Sequence, residues 1–353
     1  MHYIRYNNLI YLFIFILSLC TISVSFTVSS SSSLSVPTPS TLSSAAGYLP
    51  ICGIVYDGAT YSMGYIQKQG TISLLSPLPS SWSNLLNSGD IAIITNLTYF
   101  ITPRNSNIQP QNNYGIVTIE SPTKATIVPE QLETIPGYKT TPSILQAHYD
   151  NKRDTILTLV TGINNTYTIL VEVAINNNTI THIWSNFQSY WNELAWIKYD
   201  ISYYDNLNQQ YIMIGSTSNN IHNESLLIIP YFTAKPLQNI PIPENTDILA
   251  LNMWNNSYIV LATNTLTMGV ELLGYSIENQ QWYSIYQYNG MYSFDFIQVL
   301  LIDPIKNILI TMVTNQGESV ISYIDLIKQS EIYEISYSNS GYSIIDIALC
   351  EGI

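Results

Sequence analysis

One pattern comes round four times between residues 143 and 339, and looser copies precede it. In each copy an apolar run ends near an Asp or Asn, and a second run starts within a few residues. A polar turn, a third run and a fourth, usually rich in aromatics, follow. The first two runs read SILQAHYD then TILTLV, WIKYD then YIMIGS, DILALNMW then YIVLAT, and FIQVLLID then NILITMV. The third read TYTILVEVAI, ESLLIIPYF, GVELLGYSI and SVISYIDL; the fourth read THIWSNF, LQNIPI, QWYSIYQY and SEIYEISY. Short apolar runs bounded by turn residues are strands. The helical spacing of i, i+3, i+4 almost never persists beyond one turn. Only Leu132, Leu194 and Leu326 sit in stretches that suit a helical turn.

The second runs start at Tyr61, Tyr99, Thr155, Tyr211, Tyr258 and Asn307. The spacing is roughly 40 to 55 residues, with four strands in each unit, which points to an all-β chain folded as a β-propeller. A blade is a small twisted sheet that cannot bury both faces alone; stacking blades radially does so and leaves short edges. Unit one reads ICGIVYD, TYSMGYI, TISLLSPL and SSWSNLL; unit two reads DIAIIT, TYFIT, YGIVTIE and ATIVPEQL. A polar insert at 103–113 predicts a protruding loop, and the proline-containing stretch 129–142 bridges to unit three. After the sixth unit comes one more first strand, GYSIIDIALC, placed to close the ring on unit one. The count is six blades, or seven with one degenerate. Tandem β-sandwiches split near 129–142 are the rival architecture.

The N-terminus carries Arg5 before an apolar run at 9–20, with small residues at Ser23 and Ser25. That is the form of a cleaved signal peptide spanning 1–25, with a retained anchor as the alternative. Residues 26–46 are rich in Ser and Thr, with Pro37 and Pro39, and predict a flexible stalk. The propeller domain then occupies 47–353. With 24 acids against 11 Lys and Arg, the chain carries −13. Such a charge repels nucleic acid and anionic lipid, so neither is expected as a partner, and no membrane contact is expected beyond the signal.

Of three cysteines, Cys20 leaves with the signal. Cys52 and Cys350 then stand at the two ends of the folded part, and an even pair in an oxidising compartment reads as a disulfide. If the ring closes through the C-terminal strand, the two sulfurs meet at the seam.

Chemistry-bearing motifs are sparse. Five sequons, at Asn96, Asn164, Asn177, Asn223 and Asn255, fall at the edges of apolar runs and are expected glycosylation positions. Asp57, Asp150, Asp200 and Asp303 end first strands, and Asp205 lies in a following turn. Asp capping its own turn accounts for this pattern; a carboxylate ring binding a metal is the alternative. Asp295 and Asp346 lie inside first strands, where a carboxylate must face the channel or be paired. With His148 and Asp150 they are the channel candidates. His148, His182 and His222 show no ligand spacing, and no metal or cofactor signature appears. Catalytic residues are not assigned: no Gly-x-Ser-x-Gly elbow and no Gly-rich phosphate loop is present. The aromatics Trp184, Phe187, Tyr190, Trp191, Trp196, Trp282, Tyr283, Tyr286 and Tyr288 read as fillers between blades, or as a stacking surface for sugars if exposed.

Signal, polar stalk and four-strand units together resemble secreted β-propeller proteins in general. The Gly-His and Trp-Asp signatures of WD40 blades and the double glycine of kelch repeats are missing, so no family's functional residues carry over. The expectation is a secreted or lumenal glycoprotein, monomeric, acting as a binding or scaffold module for carbohydrate or an extracellular protein. The alternatives are a propeller hydrolase or lyase with a metal/carboxylate site at the channel, and a purely structural coat or matrix protein.

Overall fold

The computed structural model describes residues 50–350 except 69, 81–88, 96, 104–113, 122, 131, 133–134, 136–142, 162–167, 176–178, 187–193, 218–223, 231–237, 289–291, 294–298, 316–317 and 338–340. Among the described residues there is no α-helix. The strands build six antiparallel sheets, one per blade.

Blade I contains β1 (Ile51–Tyr56), β2 (Tyr61–Ile66) and β3 (Ile72–Pro77). Blade II is β4 (Gly89–Thr95), β5 (Thr98–Pro103), β6 (Tyr114–Ser121) and β7 (Lys124–Glu130). Blade III is β8 (Ser143–Asp150), β9 (Thr155–Thr161), β10 (Thr168–Ala174) and β11 (Ile180–Asn186). Blade IV is β12 (Leu194–Asp205), β13 (Gln210–Thr217), β14 (Ser225–Pro230) and β15 (Gln238–Pro241). Blade V is β16 (Thr246–Trp254), β17 (Ser257–Asn264), β18 (Val270–Ser276) and β19 (Gln281–Gln287). In blade VI, β20 (Tyr292–Ser293) and β21 (Val299–Asp303) both pair with β22 (Ile308–Asn315), followed by β23 (Glu318–Asp325) and β24 (Ser330–Ser336). The last strand, β25 (Ser343–Leu349), pairs with β1 and completes blade I. The innermost strands β25, β4, β8, β12, β16 and β21 contact one another in that cyclic order, so the ring is closed.

This fixes the count at six blades and corrects one assignment. ICGIVYD is the second strand of its blade, because the chain's end supplies the innermost one. The fourth run expected there, SSWSNLL, and most of the 103–113 insert lie outside the described residues. Two of the three suspected helical turns are something else. Leu194 opens β12 by pairing with Thr217, and Leu326 sits in the turn after β23. Leu132 belongs to no regular element but is buried.

Six apolar clusters fill the six gaps between neighbouring blades. Strand geometry explains how one strand feeds two of them, since successive side chains point to opposite faces. In β13, Tyr211 and Met213 face blade III while Ile212 and Ile214 face blade V. In β17, Tyr258, Val260 and Ala262 face blade IV while Ile259 and Leu261 face blade VI. Sandwiched strands are therefore buried on both faces and mostly apolar, which is why YIMIGS and YIVLAT do not alternate. The outermost β24 does alternate in part, with Glu331 and Glu334 exposed.

The innermost strands share a further device. In blades I to V their pairing with the second strand shifts register by a bulge, at Ile54/Val55, Ile93/Thr95, Ile144/Gln146, Lys198/Ser202 and Ile248/Ala250 among them. Bulges raise local twist and re-aim side chains, which a strand packed about an axis requires.

Candidate functional site

The acids at strand ends are turn caps. Five hairpins, β8–β9, β12–β13, β18–β19, β21–β22 and β23–β24, use four-residue loops whose last residue has positive φ: Asp154, Gln209, Gln280, Asn307 and Gln329. In four of them the residue before the loop is Asp, and its Oδ1 accepts backbone amides inside the loop. Asp205 takes Leu207 N and Asn208 N at 2.9 and 3.1 Å; Asp303 takes Ile305 N and Lys306 N at 2.8 and 2.9 Å. Asp325 does the same with Ile327 and Lys328, and Asp150 with Lys152. Asp57 caps its own turn through Ala59 N and Thr60 N. Amides of Thr60 and Lys328 respectively hold the Asp57 and Asp325 carboxyls below the usual range. Asp200 does not end its strand, since β12 runs on to Asp205, and its side chain, like that of Asp295, is outside the described residues.

Asp346 sits on the innermost strand β25 at 8% exposure. Its Oδ2 accepts Ile91 N of blade II at 2.9 Å, and its Oδ1 accepts Ile347 N at 2.8 Å. Cys52 of β1 is bonded to Cys350, directly after β25, with Cα atoms 5.6 Å apart across 298 positions. Tyr99 of blade II adds its hydroxyl to Leu349 O at 3.0 Å. The seam predicted from sequence is therefore held covalently on one side and by polar contacts to blade II on the other.

His148 and Asp150 belong to two separate polar groups between blades III and IV. In the first, Ser202 Oγ lies within hydrogen-bond distance of Gln146 Oε1, of Tyr211 OH at 2.7 Å and of His148 Nε2 at 2.9 Å. A hydroxyl has one proton, and Gln146 Oε1 can only accept it. His148 Nε2 and Tyr211 OH must then both donate to Ser202, so the imidazole carries its proton on Nε2 and leaves Nδ1 as an acceptor. A histidine that donates to serine is not its general base. Burial pushes the His148 pKa down to about 4, so the ring is neutral at physiological pH.

In the second group Arg153 Nη2 pairs with Asp150, its Nε donates to Glu172 Oε1 at 3.2 Å, and its Nη1 donates to Gln209 Oε1 at 3.2 Å. Tyr204 OH donates to Asp150 Oδ2 at 2.9 Å, and Thr155 Oγ1 donates to Glu172 Oε1 at 2.8 Å. Both acids are buried and fully engaged, which is what a buried charge needs.

A third polar group was not legible in the sequence. Lys198 Nζ, in the bulged part of β12, reaches Glu224 at 3.1 Å, Asp247 and Ile248 O, tying blade IV to blade V. Burial pushes the Glu224 carboxyl up in spite of Lys198. The only sequence signal is a polar residue interrupting WIKYD; its partners lie 26 and 49 positions away and are brought together by ring register alone.

The described aromatics close gaps between blades. Trp282 Nε1 donates to Pro241 O of blade IV at 2.8 Å, Tyr286 OH donates to Glu331 of blade VI at 3.3 Å, and Tyr288 is buried. Tyr283 lies over Gly274, where a Cβ would meet the ring at 2.3 Å. The side chains of Trp184, Phe187, Tyr190, Trp191 and Trp196 are outside the described residues, as are His222 and four sequon asparagines. His182 is half-buried on β11 opposite Glu172. Asn255 is exposed in the β16–β17 turn, where it and Asn256 have φ of 45° and 59°. Two positive-φ residues between paired strands are the tight hairpin that Asn favours. Among the described residues no three His, Cys, Asp or Glu side chains group as metal ligands.

No protein-family model matches the chain, and no curated protein matches it by sequence. Solved structures do match by fold. A chain in the crystal structure of a nidogen/laminin complex superposes with TM-score 0.52 at 9% identity, over 86% of this chain and 100% of that one. The periplasmic gluconolactonase of Pseudomonas aeruginosa superposes with TM-score 0.48 at 7% identity, over 82% of this chain and 83% of that one. At such identities the likeness is one of fold.

Proposed function

We propose that the protein is a secreted or lumenal glycoprotein, a monomer whose propeller serves as a binding or scaffold module for carbohydrate or an extracellular protein. The observation that carries the reading is the Cys52–Cys350 bridge across the ring seam. A structural disulfide of this kind belongs to an oxidising compartment, in keeping with the N-terminal signal and the sequons. The polar side chains support binding over chemistry. Asp150, Asp205 and Asp303 each give one oxygen, and Asp346 both, to backbone amides, while Asp303 Oδ2 has only Lys306 Nζ 3.8 Å away; Ser202 receives a proton contact from His148 where a nucleophile would give one. A fold neighbour comes from the crystal structure of a nidogen/laminin complex, and a protein-binding role of that kind is in keeping with the reading.

Expression in a secreting eukaryotic host tests the reading. Mature protein is expected in the medium, starting after Ser25 and losing mass on enzymatic deglycosylation. That protein is then screened on glycan arrays and in pull-downs from medium. Protein retained in the cytosol with free thiols overturns it. The runner-up, a hydrolase or lyase with a metal/carboxylate site, calls for stoichiometric calcium or zinc in the purified protein.

A further inference from the structure

We propose that His148 and Tyr203 form the polar wall of a ligand site at the propeller axis, and that the site takes a neutral polyhydroxylated ring, a sugar. This rests on the carbohydrate arm of the reading above and assigns its location.

The two residues hold the same register on neighbouring innermost strands. Each lies two positions before the Asp that caps its hairpin, His148 opposite Leu157 and Tyr203 opposite Ile212. Their rings meet edge to face, with centroids 6.4 Å apart. Both are enclosed by the blades on either side and by the second strand behind, yet each keeps part of its surface. On an innermost strand the open direction is the axis, so that is where the remaining surface lies.

The polar atoms there are uncommitted. The proton count around Ser202 fixes His148 Nδ1 as an acceptor, and among the described residues nothing donates to it. None of them hydrogen-bonds the Tyr203 hydroxyl either. Burial, with Asp205 nearby, pushes that phenol up to about 12, so it keeps its proton and donates. Asn252 and Leu301 hold the matching register in blades V and VI. Asn252 is spent on Leu300 O and Met253 N, and Leu301 is apolar. One acceptor and one donor on an aromatic corner, with no uncommitted charge among the described residues, suit a ligand whose hydroxyls give and take hydrogen bonds and whose C–H face packs on a ring. Among the described residues Asp150 and Asp205, the acids nearest the pair, are already occupied and offer an ion no free counter-charge.

The test uses the full mature chain labelled at histidine for NMR, titrated with methyl glucoside, N-acetylglucosamine and glucuronate. The proposal expects saturable movement of the His148 ring signals with a neutral sugar, while His182 stays still. Tyr203→Phe, which removes only the hydroxyl, should weaken that sugar about 5- to 10-fold, one hydrogen bond's worth. His148→Gln is the second variant, judged only if it keeps the wild-type fold by circular dichroism. Sugar bound on arrays while His148 stays still removes the site and leaves the carbohydrate reading intact. Glucuronate preferred over both neutral sugars also removes it. No sugar bound in either assay overturns the site and the carbohydrate reading together.

Discussion

Asp346 Oδ2 accepts the amide hydrogen of Ile91 at 2.9 Å, across 255 positions of sequence and from one blade to the next. Its other oxygen accepts Ile347 N. Both carboxylate oxygens are thus acceptors for backbone donors at the ring seam. Asparagine has one such oxygen, so Asp346→Asn sets an amide NH₂ against one of the two N–H groups. The loss should be about 1.5 to 3 kcal/mol, the range for a hydrogen bond to a charged group. Urea unfolding of the variant checks this, and faster hydrogen exchange at the Ile91 amide would place the loss at the seam.

The Cys52–Cys350 bridge spans nearly the whole folded chain. In the chain-entropy picture, cross-linking so long a loop removes much of the freedom of the unfolded state. Replacing both cysteines with alanine should cost about 2 to 5 kcal/mol. Both cysteines are fully buried. Reductant should therefore cleave the native protein slowly and the urea-unfolded protein fast, which thiol trapping with mass mapping measures.

Gly53 of β1 lies opposite Ile347 of the closing strand. A Cβ there would stand 2.4 Å from the backbone oxygen of Asp346. Backbone cannot rotate away as a side chain can, so Gly53→Ala must push β25 off its partner. The expected cost is about 1 to 3 kcal/mol, as for other overpacked sites. By contrast the atoms nearest a Cβ at Gly274 belong to the Tyr283 side chain, and swinging that side chain aside should make Gly274→Ala the milder of the two. Thermal midpoints of the two variants decide the order.

Asp205 accepts three donors, from Leu207 N, Asn208 N and Asn208 Nδ2. Asp205→Ala should cost about 1 to 2 kcal/mol by loss of the cap, comparable to other capping losses. If these acids are caps and nothing more, adding calcium or a chelator leaves the wild-type thermal midpoint unchanged. A rise with calcium that Asp205→Ala abolishes would assign the carboxylate to a metal.

The repeat made the fold readable because a blade's second strand is buried on both faces and cannot alternate. TILTLV, YIMIGS and YIVLAT stand out for that reason. The closing strand was readable for a related reason: GYSIIDIALC had no second strand after it, and Cys350 needed Cys52. Strand rank within blade I was not readable, since β1 looks the same whether it is first or second. The polar groups were hidden more deeply. Gln146 and Ser202 are 56 positions apart, Lys198 and Asp247 are 49, and each looks like a stray polar residue until ring closure fixes who faces whom. The strand-end acids invited a carboxylate ring, but Asp205 and Asp303 bond the loop amides that immediately follow them, a local chemistry that needs no ring.

His148 makes a definite demand on acid stability. Its folded pKa is depressed to about 4 from an ordinary 6.5, and burial is the cause. Between those values the unfolded chain binds a proton at this position and the folded chain does not. Stability therefore falls as pH drops from about 6.5 towards 4, and the neutral-ring contribution is fully present above that window. Two and a half pH units correspond to at most about 3 kcal/mol, less what inward solvent contact screens. Glu224 pulls the other way, since its raised carboxyl pKa favours the folded state at low pH and loses that advantage as pH rises through it. A variant at His148 separates the two: His148→Gln should flatten the slope of unfolding free energy between pH 4 and 6.5 while leaving the Glu224 trend in place. An unchanged slope would mean that the imidazole is hydrated enough to titrate normally, and the neutral acceptor assigned to the axis would go with it.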